Sequence, residues 1–246
     1  MAREMYLVCK RMDCEPQVYL DMTGITQAVW EQTLSELREE CRHYLRKDPA
    51  RKPIPIEPGI HYFMGGILVD QNHRTNIQDV YAAGECACQY HGANRLGGNS
   101  MLGAIYGGKI AAQSALEDLE HWKEIKHMPL WISKGETEDR NVGDMPEISS
   151  YLGEGLGLVR SEEGLKQAMK KLEKLLPCVQ SNEAQKKRLL LGLAMLRSAY
   201  ERKESRGAHF RCDYPKSEEE YRKTTVAFFD GCEIRIEFRK ISGGVQ

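Results

Sequence analysis

The spacing of apolar positions in the N-terminal part of the chain predicts one strand, one helix and an extended connection. The apolar run from Val18 to Met22 predicts a strand. From Thr26 to Leu45 apolar residues recur on one helical face, so an amphipathic helix is expected there. Three prolines in residues 51–59 predict an extended segment, which we interpret as the crossover between two domains.

Two helices are predicted further along the chain. Residues 162–176 and 184–202 carry leucines and methionines at the spacing of a buried helical face. The short connection around residues 177–182 should let these helices pair as an antiparallel hairpin. Residues 121–149, which precede them, are polar and poorly periodic, and they are predicted to form a linker.

A β-hairpin is predicted near the C-terminus. Residues 224–229 form an apolar run, and residues 232–238 alternate between apolar and charged side chains, as in a strand with one buried face. Asp230-Gly231 lies between them and predicts a two-residue turn. The glycine-rich residues 242–246 are predicted to be a frayed tail.

The stretch from His61 to Ala112 concentrates residues with special chemistry. Two strands are predicted in it, at residues 67–70 and 79–85, joined in a hairpin-like passage. The second ends in Gly84 and Glu85, and a carboxylate at the end of a buried strand points into the crevice where ligands of α/β sheets bind. Met64-Gly65-Gly66 should bring bare backbone close to a neighbouring group.

A glycine-rich loop and a helix follow in the same stretch. The loop, residues 91–100, carries the fixed cation Arg95, and Asn99 or Ser100 is a suitable N-cap for a helix over residues 101–116. The helix carries small residues every four positions, and each glycine costs about 1 kcal/mol relative to alanine. Such a stripe is typical of helix-on-sheet packing, but the nearby site residues favour a flat ligand against the helix. The stripe comprises Gly103, Gly107 and Ala111, with Ala104, Gly108 and Ala112 beside them.

Composition excludes several functions. The 35 basic and 36 acidic residues give a net charge of −1, so no nucleic-acid partner is predicted. Eight scattered cysteines without a C-x-x-C pair predict free thiols, with neither a metal site nor a disulfide framework. No apolar run reaches the length of a membrane span, and no signal peptide is recognisable. The chain is expected to be soluble and intracellular.

Four motifs in a fixed order point to a known family. They are HYFMGGI at 61–67, DVYAAGE at 79–85, HGANRLGGNS at 91–100 and RKESRGAHFRCDYP at 202–215. With them the chain resembles the flavoprotein subunit of fumarate reductase and succinate dehydrogenase, a family that includes L-aspartate oxidase.

The resemblance implies a mixed α/β and α+β architecture. A capping-domain remnant comes first, and the C-terminal part of a Rossmann-like FAD-binding domain, with the dicarboxylate site, follows it. After a linker come a helical domain and a terminal β-hairpin with its tail. The implied bounds are 1–52 for the remnant, 53–120 for the FAD-domain part, 121–150 for the linker, 151–213 for the helical domain and 214–246 for the hairpin.

The resemblance also implies FAD as the cofactor, a dicarboxylate (fumarate or succinate) as the substrate, and roles for named residues. His61 and Arg95 are implied to be the catalytic, substrate-binding pair. A guanidinium makes paired, planar hydrogen bonds to a carboxylate, and an imidazole can donate a hydrogen bond to the same end of the substrate. Glu85 is similar to the family's ligand for FAD hydroxyls. The other implied cofactor-binding residues are Gly65, Gly66, Asn99, Ser100, Met101 and Leu102.

One expected element does not occur in the sequence. The family holds the FAD pyrophosphate with a G-x-G-x-x-G fingerprint, which this chain lacks. We therefore expect it to be the C-terminal portion of a longer flavoprotein and to be inactive alone, because the proton donor and half of the FAD site would lie upstream. Its expected partners are that upstream half and an iron–sulfur subunit. Its expected location is the cytoplasm, or the cytoplasmic face of the membrane through partner subunits.

Two alternatives stay open. L-aspartate oxidase shares most of the motifs, but the segment YRKTTVAFFDGCEIRIEF resembles the reductase tail and favours the reductase. A noncatalytic interaction module, with the helical domain docking a partner, predicts normal folding without flavin. In both enzyme hypotheses, residues 204–209 are predicted to tie the helical domain to the catalytic core through Arg206 and His209.

Overall fold

The computed structural model describes residues 2–11, 18–88, 90–122, 145–179 and 182–240. The chain forms two compact units, Met1–His61 and Tyr62–Gln246. The predicted capping-domain, FAD-domain and linker boundaries stay predictions. The predicted tail at 242–246 and most of the predicted linker, residues 123–144, lie outside the described residues.

The part of the first unit that the structure describes forms three helices and one small sheet. Its elements are α1 (Ala2–Arg11), β1 (Val18–Leu20), α2 (Gln27–Gln32), α3 (Ser35–Tyr44) and β2 (Ile54–Ile56). β1 and β2 pair in antiparallel fashion, with Val18 opposite Ile56. The predicted strand and the predicted extended segment are therefore confirmed, and they pair with each other.

The single helix predicted over residues 26–45 is wrong, because the structure divides it into α2 and α3. Thr33, between the two helices, has φ −122° and ψ −34°. The N–H groups of Thr33 and Leu34 both donate to the carbonyl of Val29, at 2.9 and 3.1 Å, and close the end of α2. A β-branched residue is a poor helix former, so the break falls at a position of weak helix propensity.

Within its described residues, the second unit forms four α-helices and one β-hairpin. Its elements are α4 (Asn99–Trp122), α5 (Pro146–Leu156), α6 (Glu162–Leu175), α7 (Glu183–Glu201), β3 (Thr224–Phe229) and β4 (Ile234–Arg239). Helices α5, α6 and α7 enclose the main apolar core, whose central residues are Leu165, Ala168, Leu172, Leu189, Leu193 and Leu196. The two predicted helices are confirmed, and so is the leucine face that each buries.

Side chains at the helix starts and one close approach fix this arrangement. The hydroxyl of Ser161 accepts a hydrogen bond from the Gly164 N–H at 3.1 Å, which satisfies a free donor of the first turn of α6. A Cβ at Gly155 would lie 2.5 Å from Cδ2 of Leu196, so α5 and α7 touch where glycine is required. Helix α5 begins inside the predicted linker and was missed, although proline at its first position is a helix-start signal.

The C-terminal hairpin is confirmed, with its turn one residue later than predicted. β3 and β4 pair in antiparallel register, with Phe229 opposite Ile234. The Asp230 carboxylate accepts the backbone N–H groups of Cys232 and Glu233, both at 2.9 Å, so Gly231 and Cys232 form the tip. Ile234 joins the helical core, and one face of the hairpin is therefore buried.

The two strands predicted at residues 67–70 and 79–85 are wrong for the described part of the chain. Only isolated bridges occur there, an antiparallel one from Arg74 to Tyr81 and a parallel one from Ile67 to Ala87. Positive φ angles at His73 (62°) and Asp79 (63°) interrupt the extended backbone. The Arg74–Tyr81 bridge confirms the hairpin-like passage. Parallel pairing in the described residues consists of the Ile67–Ala87 bridge and of a second bridge, between Arg160 and Arg211.

Among the described residues, we find no helix with both the length and the apolar character needed to cross a lipid bilayer.

The helical core should carry much of the stability of the second unit. Leu193 is 2% exposed, whereas Leu191 on the same helix is 64% exposed. Leu193→Ala is expected to lower the free energy of unfolding by about 2–5 kcal/mol, because it removes buried apolar contacts and leaves a cavity. Leu191→Ala is the matched control and should change it by less than about 0.5 kcal/mol. Urea denaturation followed by circular dichroism measures both, and equal effects would contradict this packing.

Candidate functional site

Arg95 is held against an aromatic ring. Its guanidinium carbon lies 4.6 Å from the centroid of the Tyr62 ring, within the range of a cation–π interaction. The Tyr62 hydroxyl lies 3.1 Å from Nε2 of His91, and the two rings meet edge to face. Arg95 Nη1 donates to the carbonyl of Leu96 at 3.1 Å. The HYFMGGI and HGANRLGGNS motifs thus meet at Arg95.

One nitrogen of Arg95 is buried without an acceptor. Nε is enclosed, and the residues that the structure describes offer it no hydrogen-bond partner. A buried donor without an acceptor costs free energy, more so when the group is charged. A carboxylate is the acceptor that matches a guanidinium best, since it can take two parallel hydrogen bonds. Arg95 therefore has the chemistry of an anion-binding residue.

Glu85 joins two of the motifs. It lies in a 3₁₀ turn, Gly84–Cys86, and its Oε1 accepts the backbone N–H of Phe63 at 2.9 Å. Gly84 has φ +75°, and a Cβ there would lie 3.5 Å from the Cβ of Ala104 on α4. The HYFMGGI and DVYAAGE segments are therefore held together beside the first turns of α4. The role of Glu85 at FAD hydroxyls stays a prediction.

The two glycines of HYFMGGI differ in their surroundings. A Cβ at Gly66 would lie 2.4 Å from the carbonyl oxygen of Cys86, so the chain's own backbone requires glycine there. The neighbouring N–H of Ile67 donates to that carbonyl at 2.7 Å. A Cβ at Gly65 would meet nothing within 4 Å. Of the two, Gly65 has the open backbone that a ligand can approach.

Helix α4 presents an apolar first turn. It begins at Asn99, directly after Gly98 with φ +80°, so the two predicted cap residues lie within its first turn. Met101 and Leu102 are 67% and 66% exposed. The first N–H groups of a helix and its positive dipole end suit a polar or anionic ligand edge. Of the four residues of this turn implied for the cofactor, Met101 and Leu102 are exposed, whereas Asn99 and Ser100 are half-buried.

The small-residue stripe of α4 contacts the protein's own rings. A Cβ at Gly103 would lie 3.3 Å from the His91 ring, and one at Gly107 would lie 2.0 Å from the Tyr90 hydroxyl and 2.9 Å from His73. The prediction that a flat ligand explains these two glycines is therefore wrong. His73 is buried, and its Nδ1 lies 2.7 Å from the carbonyl of Ala82.

A second anchor holds the C-terminal part of α4. Arg74 donates two hydrogen bonds to the carboxylate of Asp118, at 2.9 and 3.0 Å, and the Tyr81 hydroxyl donates to the same carboxylate. The hydrogen bond to Asp118 is the main cause that raises the pKa of Tyr81. The hairpin-like passage is thereby fixed to α4 independently of any ligand.

The fourth motif reaches the Arg95 loop through its backbone. The N–H of Ala208 donates to the carbonyl of Ala93 at 3.0 Å. The predicted tie between the helical domain and the loop therefore exists, but the residues predicted to make it were wrong. Arg206 instead binds Glu204 at 3.0 and 3.1 Å. His209 instead lies between Arg160, at 2.7 Å, and the carbonyl of Arg202, at 3.1 Å.

Buried charges shape this turn. Glu204 is fully buried and is bound by Arg202, by Arg206 and by the backbone N–H of Glu218. Burial alone would raise the pKa of Glu204, but the hydrogen bonds from Arg206, Glu218 and Arg202 outweigh it and hold the pKa below its usual value.

Arg211, also fully buried, connects the turn to the end of α7. It donates to the carbonyls of Ala199 and Tyr200, both at 3.0 Å, which are among the free acceptors of the last helical turn. It also binds the Asp213 carboxylate through two hydrogen bonds of 2.7 Å. These hydrogen bonds lower the pKa of Asp213 to about 2.

His61 is the last residue of the first unit and is exposed. Its pairing with Arg95 at one substrate stays a prediction. Sequence patterns do not mark three residues that position the loop and α4, namely Tyr62, Tyr90 and Gly207. Tyr62 and Gly207 lie inside the family motifs, which could have pointed to them. Nothing in the periodicity marks Tyr90.

Two family models match this chain. One describes the FAD binding domain and covers residues 1–101, and the other describes the fumarate reductase flavoprotein C-terminus and covers residues 146–243. The chain belongs to the fumarate reductase and succinate dehydrogenase flavoprotein family. The L-aspartate oxidase of Pyrococcus furiosus is 35% identical over 237 residues, 94% of this chain and 46% of that protein. The succinate dehydrogenase flavoprotein subunit of Bacillus subtilis is 30% identical over 262 residues, 92% of this chain and 45% of that protein.

Solved structures of the family agree with the fold. A variant of Escherichia coli quinol fumarate reductase superposes with a TM-score of 0.80 at 27% identity, covering 98% of this chain and 48% of that one. The predicted family, the mixed helical and strand fold and FAD as the cofactor of this flavoprotein are thereby confirmed. The chain spans about half the length of the curated relatives it matches.

The pKa of His209 makes the stability of this flavoprotein chain dependent on pH. Burial, followed by the positive charge of Arg160, lowers the pKa of His209 from 6.5 to about 4. In the unfolded chain His209 is therefore protonated near pH 6.5, whereas in the folded chain it stays neutral until about pH 4. Stability should fall as the pH is lowered through this window, by about 1.4 kcal/mol per pKa unit at most.

Urea denaturation between pH 7 and pH 5 measures this dependence. His209→Gln removes the titrating group and should flatten the decline. His43→Gln, at an exposed histidine of the first unit, is the control and should keep the wild-type slope. An unchanged slope in the His209 variant would contradict a buried, neutral His209.

Proposed function

We propose that this chain is the C-terminal half of a fumarate reductase or succinate dehydrogenase flavoprotein subunit. The complete subunit would interconvert fumarate and succinate by FAD-dependent hydride transfer. The observation that carries the proposal is Arg95, whose guanidinium is fixed on Tyr62 and whose buried Nε has no acceptor among the described residues. A substrate carboxylate would accept paired hydrogen bonds from this guanidinium.

The substrate chemistry assigns roles to two residues of this chain. Reducing an alkene between two carboxylates needs a hydride on one carbon and a proton on the other. Arg95 would bind and polarise one carboxylate through paired hydrogen bonds, which draws charge from the alkene as the hydride arrives. His61 would donate a hydrogen bond to the same end of the substrate. The proton donor is expected in the upstream half.

The described residues fit FAD as a bound group. When bound, FAD supplies the hydride or accepts it. Gly65 offers open backbone, and the first turn of α4, with exposed Met101 and Leu102, offers N–H groups beside an apolar surface. Glu85 gives Oε1 to Phe63, but a carboxylate has further lone pairs that can accept hydrogen bonds from FAD hydroxyls.

The proposal includes an upstream half as a partner. Exposed apolar side chains continue along α4 beyond its first turn and include Ile105, Tyr106 and Leu116. Exposed apolar side chains grouped along one helix suit an interaction site. We infer that the upstream half of the flavoprotein covers them, which would leave the isolated chain without turnover. By family resemblance, an iron–sulfur subunit is proposed as the electron-transfer partner, with the assembly in the cytoplasm or at its membrane face.

L-aspartate oxidase is the second candidate. It is favoured by the 35% identity to the Pyrococcus furiosus oxidase over 94% of the chain. The reductase is favoured by the match of residues 146–243 to the fumarate reductase flavoprotein C-terminus, which includes the β3–β4 hairpin. Both candidates need a cation for a substrate carboxylate, so Arg95 has the same role in each.

Steady-state assays of the flavoprotein that contains this chain test the proposal. Succinate oxidation with an artificial acceptor and fumarate reduction with a reduced dye are expected, and aspartate oxidation is not. Arg95→Lys keeps the charge but loses the paired geometry, so kcat/KM should fall about 10- to 100-fold. Arg222→Lys, at an exposed arginine, is the matched control and should retain activity. Turnover of aspartate alone, or full activity in the Arg95 variant, would contradict the proposal.

A further inference from the structure

Gly207 and Ala93 touch through their backbones. Gly207 has φ +60°, a conformation that residues with a Cβ rarely adopt. A Cβ at this position would lie 2.1 Å from the carbonyl oxygen of Ala93 and 2.4 Å from its carbonyl carbon. Both atoms are backbone, so a rotamer change cannot relieve the overlap. The backbones of the turn and of the loop are therefore in direct contact, with no room for a side chain between them.

Among the described residues, few other contacts hold the part of the Arg95 loop around Ala93. Ala93 lies two residues before Arg95. The loop also contains Gly92 and Gly98, with φ +53° and +80°, and a Cβ on either would meet nothing within 4 Å. Glycines in open space leave a loop with many accessible conformations. The hydrogen bond from the Ala208 N–H to the Ala93 carbonyl, 3.0 Å long, therefore selects one of them.

The turn on the other side is rigid. Its base is the buried Glu204 with its two arginines. The Ser205 hydroxyl donates to the Tyr214 carbonyl at 2.8 Å, and the Arg206 N–H donates to the His209 carbonyl at 2.8 Å. The turn is fixed by these hydrogen bonds, whereas the loop can adopt several conformations. Their contact therefore sets the position of the loop.

We propose that Gly207 and Ala208 are positioning residues for Arg95. The turn after α7 acts as a stop against Ala93, and through it the helical domain sets the distance and orientation of the guanidinium for a substrate carboxylate. Neither residue touches the substrate in this account. The inference rests on the proposed function for the identity of the bound carboxylate, but the mechanical coupling between turn and loop does not.

Limited proteolysis of this chain with trypsin, which cleaves after Arg95 when the loop is mobile, tests the coupling without substrate. Gly207→Ala is expected to cause loss of protection against cleavage after Arg95, while the cleavage sites of α6 and α7 keep theirs. Gly231→Ala is the matched control, because Gly231 also has a positive φ (+98°) but open space around it. Unchanged protection of the loop in a folded Gly207→Ala variant overturns the proposal, and so does the same loss in the control.

Kinetics of the flavoprotein that contains this chain test the consequence. Gly207→Ala should lower kcat/KM for the dicarboxylate about 10²-fold, chiefly through KM, with FAD content unchanged. A merely structural role would lower the amount of folded, FAD-loaded protein and leave KM per FAD unaltered, which would overturn the proposal. Loss of loop protection in a flavoprotein without dicarboxylate activity would instead refute the proposed function and leave the coupling intact.

A second variant covers the case in which Gly207→Ala does not fold. Ala208→Pro leaves Gly207 unsubstituted and removes the N–H that donates to Ala93. It should show the same loss of protection at Arg95. If the loop keeps its protection without this hydrogen bond, the proposal is overturned.

Discussion

The fully buried carboxylate of Glu204 is the constraint on which the site geometry depends. A charge removed from water must be paired, and Glu204 is bound by Arg202, by Arg206 and by the backbone N–H of Glu218. These partners come from both sides of the turn that follows α7. When these hydrogen bonds to Glu204 are formed, the backbone of residues 202–218 has little conformational freedom, and Gly207 lies against Ala93.

The charges specify this path more than they stabilise the protein. Pairing two buried ions repays their desolvation only in part, whereas a buried leucine contributes without such a cost. The leucines of α6 and α7 therefore supply the stability of the second unit, and Arg211 and Glu204 decide how the chain leaves α7. The same division recurs at the loop, where Tyr62 and Ala208 hold a segment that has almost no apolar core of its own.

Sequence patterns predicted the elements whose hydrophobic period continues over many neighbouring residues. Helices α6 and α7 and the strands β3 and β4 follow from a repeated period and from turn residues at their ends. The pattern failed where a single residue changes the backbone path. Thr33 divides one expected helix, and the positive φ angle of Asp79 breaks the extended backbone at the first residue of an expected strand. Helix α5 is short, 11 residues, and begins inside a polar segment, and it was missed for that reason.

The site shows the same limit. Motifs placed Glu85 and Arg95 in one region, and the structure joins their segments through Phe63 and Tyr62. Gly103 and Gly107 of the α4 stripe pack against the protein's own rings, and not against the flat ligand that the sequence favoured. Their partners are the rings of Tyr90, His91 and His73, which periodicity cannot locate because the contacts depend on the turns that bring them there.

We propose that the flavin-binding surface of this chain forms half of the FAD pocket and that the upstream half of the flavoprotein forms the rest. Titration of FAD, followed by its absorbance and fluorescence, tests this proposal most directly. The chain alone should give no saturable change, and the chain mixed with the upstream half of the flavoprotein should bind FAD saturably. Glu85→Ala should weaken that binding, and Glu201→Ala, at an exposed carboxylate at the end of α7, should not. Saturable binding to the isolated chain, as tight as to the mixture, would contradict the account.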